Sequence, residues 1–77
     1  MAKKLVREIA RHDCEDDDGN EYVVVELQHF IVFEPVSGER QELPGPLEYR
    51  LSEGGDVEWK SKDTFEILES EKLIQRI

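Results

Sequence analysis

The stretch Asp13-Cys14-Glu15-Asp16-Asp17-Asp18-Gly19-Asn20-Glu21-Tyr22-Val23-Val24-Val25 decides the fold. Asp-Gly between two segments that tolerate an extended backbone is the strongest short-range signal for a hairpin, because both residues accept the dihedrals of a tight reversal. A turn at Asp18-Gly19 pairs Cys14 with Val23, His12 with Val25, Ala10 with Leu27 and Val6 with Ile31, gathering a mostly apolar face. On the other face it sets Arg11 across from Glu26. An N-terminal amphipathic helix competes for residues 3–12, since Leu5, Val6, Ile9 and Ala10 also recur at helical spacing. The strand reading is preferred.

Outward from the turn, Tyr22 to Phe33 is rich in β-branched and aromatic residues and is the best strand in the chain. Pro35 ends it. Residues 35–46, with Ser37-Gly38 and Pro44-Gly45-Pro46, read as a connection and turn, either functional or hiding a short edge strand in Glu39 to Leu43. Leu47, Tyr49 and Leu51 alternate, as do Val57 and Trp59, with Gly54-Gly55 between them. A loop of Gly54-Gly55-Asp56 makes a second hairpin with Leu51 opposite Trp59. Phe65 and Ile67 alternate after Lys62-Asp63, and Leu73 to Ile77 follows a polar bend at Glu69-Ser70-Glu71-Lys72. About five or six short strands at spacings of roughly 10 residues, without a helix or βαβ rhythm, predict an all-β antiparallel meander that closes or half-closes into a small barrel. One domain covers residues 1–77.

Composition sets the partners and the compartment. The 77 residues carry 19 Asp and Glu against 10 Lys and Arg, a net charge of -9, which disfavours a broad face for phosphate backbones and hence direct nucleic-acid binding. Lys3, Lys4, Arg7 and Arg11 nevertheless form a small basic cluster. Apolar runs such as Tyr22 to Val25 are far shorter than the ~20 residues of a membrane-spanning helix. Arg7, Glu8 and Arg11 interrupt any signal-peptide core after Lys3-Lys4, so export is not expected. One cysteine excludes an internal disulfide and favours a reducing cytoplasm.

The order Leu43-Pro44-Gly45, Tyr49, Gly54-Gly55, Val57 and Asp63-Thr64-Phe65-Glu66-Ile67 resembles a group of short uncharacterised bacterial proteins, over most of residues 3–77. The resemblance implies a bacterial source and a small β domain, and no activity.

Tests for chemistry are mostly negative. Aligning Gly19 with the glycine of a calcium loop places Asp16 and Asp18 at ligand positions but Cys14 at the first and Val25 at the twelfth, so the motif fails at both ends. His12, Cys14 and His29 fall on one face in the expected register, yet a structural zinc site needs a fourth ligand. Cys14 reads instead as a buried small hydrophobe, inert as a nucleophile. Gly54-Gly55 lacks the lysine and helix of a phosphate loop. No cofactor is expected, and a metal-dependent enzyme at these three residues is the weakest of three readings. An acidic mimic of nucleic acid that captures a DNA-binding protein is the second, although Lys60, Lys62 and Lys72 break the acidic track. The first is a non-enzymatic module binding another protein or itself through a strand edge and the Pro35 to Pro46 loop. Most of the six aromatics are expected in the core. Tyr49 and Trp59, whose polar atoms need water or a partner, join Leu43 and Pro44 as candidate binding residues.

Overall fold

The computed structural model describes residues 2–36 and 38–77; Met1 and Ser37 lie outside them. Six strands follow one another: β1 (Ala2–Glu15), β2 (Glu21–Phe33), β3 (Gln41–Leu51), β4 (Asp56–Ser61), β5 (Thr64–Ile67) and β6 (Lys72–Arg76). Each pairs antiparallel with its neighbour, and β1 closes on β6 at Cys14 and Glu15. The result is the expected all-β meander in closed form. Residues 3–12 are strand, so the helical alternative falls.

The first turn lies where the Asp-Gly signal places it, but its loop is longer. The Asp16 amide donates to the Asn20 carbonyl and the Gly19 amide donates to the Asp16 carbonyl, leaving Asp17-Asp18-Gly19 as a three-residue loop with Gly19 at φ 82°. This is the hairpin in which a left-handed glycine completes a bulge. The pairing therefore slips by one residue: Cys14 faces Tyr22, His12 faces Val24 and Ala10 faces Glu26. An irregularity between Glu8 and Ala10 adds a second shift, and Val6 faces His29 rather than Ile31. Arg11 faces Val25 and turns to Glu8 in place of Glu26.

Asp16 locks this corner to the far end of the chain. Its carboxylate accepts the Asp18 and Asn20 amides at 2.9 Å, the Tyr22 hydroxyl at 3.0 Å and the Lys72 ammonium at 2.8 Å. The Lys72 hydrogen bond, supported by Asn20 and Tyr22, holds the Asp16 carboxyl well below the usual carboxylate range despite its burial. The saturated carboxylate has no lone pair free to serve as the calcium-loop ligand that its alignment with Gly19 suggests.

Two further readings are corrected. Pro44 and Pro46 belong to β3 rather than to a loop, so the connection shrinks to residues 34–40. Proline is tolerated there because no other strand pairs with the outer side of β3 before Tyr49. The second hairpin turns through Ser52-Glu53-Gly54, with Gly54 at φ 105° and the Leu51 amide donating to Gly55. Leu51 consequently faces Gly55, while Trp59 pairs with Phe65.

The core comprises Cys14, Val24, Val57, Phe65, Ile67 and Ile74, with Tyr22, Tyr49 and Leu51 packed against it. All of it sits where the six strands close. The first three strands run far beyond that region, since β4 to β6 are only four to six residues long. The molecule measures 56 × 21 × 21 Å with a radius of gyration of 15.8 Å, against roughly 11 Å for a compact chain of this length. A three-stranded arm projects from the barrel.

Candidate functional site

Direct pairing assigns the two faces of the arm, because opposed residues share a face and successive residues alternate. Lys3, Leu5 and Arg7 of β1, Gln28, Phe30 and Val32 of β2, and Glu42, Pro44 and Leu47 of β3 continue the barrel interior outward. This face is held by ion pairing and packing. The Arg7 guanidinium forks onto Glu42 with two bonds of 2.9 Å and lies over the Phe30 ring at 5.2 Å, and Val32 is buried. The Gln28 amide bridges the irregular pairing near Gly45 by donating to the His29 and Gly45 carbonyls.

The opposite face carries Lys4 and Val6 of β1, Leu27, His29, Ile31 and Phe33 of β2, and Leu43 and Glu48 of β3. His29 meets Glu48 at 2.7 Å. Beside that pair, Val6, Ile31, Phe33 and Leu43 are between 43% and 53% exposed. No described element packs over them. Adjacent apolar side chains on one sheet face, left in water, mark an interaction surface more often than a scattered exposed residue does.

The two borders of the arm differ. The outer border of β3 contains Pro44 and Pro46, which cannot donate to an added strand. The outer border of β1 is unpaired from Ala2 to His12 among the described residues, because β6 reaches only Cys14 and Glu15. From Ala2 to Glu8 it contains neither proline, glycine nor bulge.

The predicted binding residues fall in two places. Leu43 and Pro44 stand on the arm, opposite Ile31 and Phe30. Tyr49 lies at the base of the arm and packs on Phe65 at 5.3 Å, where burial, with Glu26 adding to it, pushes its phenol pKa up. Trp59, half exposed, lines with Leu47 and Leu68 a shallow groove of about 400 Å³. Tyr49 lies five positions along β3 from Pro44, roughly 16 Å of strand, so the four predicted residues form no single site. Trp59 stays outside the core as expected, whereas Tyr49 packs against it and Phe30 and Phe33 lie on the arm, contrary to the expectation that they help fill it. The sequence reading missed Val6, Ile31 and Phe33 as surface residues. Their signal was the length of the first two strands, which exceeds that of any possible partner in β4 to β6.

His12, Cys14 and His29 are not brought together. The one-residue slip at the turn leaves His12 and Cys14 inside, opposite Val24 and Tyr22, and turns His29 to the outer face. His12 stacks on Phe65 and meets Glu26 at 2.8 Å. The Cys14 thiol donates to the His12 carbonyl rather than to its ring, and burial pushes its pKa up. Nucleophile and base are therefore not in contact. Among the described residues no cluster of His, Cys, Asp or Glu has a metal-binding arrangement, and no buried side-chain polar atom lacks a hydrogen-bond partner. A larger concavity of about 670 Å³ at the opposite end is rimmed by Asp13, Glu21 and Glu53, with no buried polar group in reserve for a ligand. No described helix is long and apolar enough to cross a membrane. Comparison with protein-family models, curated proteins and solved structures gave no match.

Proposed function

We propose that this chain is a non-enzymatic module that binds another protein or itself, with the projecting arm as its contact surface. The observation that carries the reading is the outer face of the arm, where Val6, Ile31, Phe33 and Leu43 stay exposed while the barrel core is completed without them. At ~25 cal/mol per Å² of apolar area, covering such a face is a ready source of association energy. The open border of β1 adds main-chain donors and acceptors to it.

The test combines light scattering across a concentration series with pull-down from a lysate, for the wild type and for the Ile31→Glu/Leu43→Glu variant. The reading expects self-association or a retained protein that the variant loses while its denaturation midpoint holds. A strict monomer with no retained protein, or capture that the variant leaves unchanged, contradicts it.

A further inference from the structure

We infer that the open border of β1 from Ala2 to Glu8 takes up an extended acidic segment of a partner protein as a seventh strand, an inference that rests on the arm being the contact surface. The charge distribution argues for it. Residues 2–11 hold four of the chain's ten Lys and Arg and only one of its nineteen Asp and Glu, so the proline-free open border is basic in an otherwise acidic molecule. Two of the four cations are already used, Arg7 by Glu42 and Arg11 by Glu8. Lys3 and Lys4 form no ion pair with any described residue, and they point to opposite faces of the sheet. A strand added beside them therefore meets one cation on each face with two consecutive residues, which calls for a pair of carboxylates. Leu5 and Val6 come next on the two faces, calling for two adjacent apolar residues. The recognised pattern is an acidic pair beside an apolar pair, in an order set by strand direction.

The same features disfavour a second copy as occupant. Most registers of two such borders oppose Lys3, Lys4 and Arg7 to their equivalents, and edge lysines are a common device against self-pairing. Each copy also carries -9. Stacking two outer faces instead, each roughly 14 × 26 Å from strand spacing and rise, buries less than the ~1,000 Å² expected of a specific dimer.

The test uses the isotope-labelled full chain and two synthetic capped peptides, Ser-Thr-Val-Ile-Glu-Glu-Thr-Ser and its reversed sequence, with Lys-Lys in place of Glu-Glu as control. One acidic peptide is expected to shift and protect backbone amides of residues 2–8, to bind at least roughly tenfold more tightly than its control, and to weaken several-fold near 0.5 M salt. Lys3→Glu/Lys4→Glu is expected to remove at least roughly tenfold of the affinity, and the milder Lys3→Gln/Lys4→Gln provides the same comparison should charge reversal disturb the fold. Equal binding of acidic and basic peptides, shifts confined to β3 or the Trp59 groove, or no shift with either acidic peptide overturns the inference. So does protection of residues 2–8 that follows protein concentration without peptide. None of these touches the arm reading itself, which stands or falls on Ile31→Glu/Leu43→Glu.

Discussion

Asp16 shows how one side chain can fix the geometry of a small barrel. Its carboxylate gathers two backbone amides, a phenol and an ammonium from β6, tying the first turn to the last strand. Because the folded carboxyl titrates below its unfolded value, its contribution is complete above about pH 5 and fades as the pH falls below that. Lys72 is the mirror case. Its pKa is raised by the same contact, so its share persists below pH ~10 and is lost as alkali titrates it. Asp16→Asn should lower the urea midpoint at pH 7, and its gap to the wild type should close as the pH drops below about 4; a constant gap would show that charge is not the cause. Gly19 contributes through conformation alone, since an added Cβ meets nothing within 4 Å. Gly19→Ala is expected to cost about 1 kcal/mol from the left-handed backbone, measured by urea denaturation. The turn was legible in Asp18-Gly19. The role of Asp16 was not, because its main partner is 56 positions away at Lys72.

At the level of elements, burial separates strands that make the barrel from strand segments that only leave it. Ile74 is fully buried and Ile31 is 46% exposed. Ile74→Ala should therefore cost about 2–5 kcal/mol, enough to unfold much of so small a domain, whereas Ile31→Ala should stay within about 1 kcal/mol. Thermal denaturation of both variants checks the contrast, and comparable losses would mean that the arm is as structural as the barrel. Strand existence was readable from β-branched and aromatic patterning, as Tyr22 to Phe33 and Phe65 to Ile67 show. Register was not. A hairpin loop one residue longer and a bulge near Ile9 each shift pairing by one, and periodicity of two makes every such shift exchange the faces. The exchange at the turn is why His29 left the side shared by His12 and Cys14. Pro44 and Pro46 signalled a loop because proline is excluded from interior strands, and only the unpaired outer side of β3 admits them.

For the molecule as a whole, unequal strand lengths decide the shape. Strands of 14, 13 and 11 residues cannot be matched by neighbours of four to six, so the excess length becomes an arm with an exposed apolar outer face and a proline-free open border along β1. Stability then resides at the barrel end and contact capacity at the other. The closed meander was foreseeable from strand count and spacing, but the arm depended on where β4 and β6 stop pairing, which composition does not encode. Amide hydrogen exchange on the dilute chain, alone and then with a captured partner or at high protein concentration, tests this division most directly. The amides of Cys14, Val24, Phe65 and Ile74 should exchange slowest throughout, while residues 2–8, 30–33 and 41–43 exchange faster alone and slow markedly on association. Equal protection of arm and barrel in the dilute monomer, or an association that leaves arm amides unchanged, would contradict it.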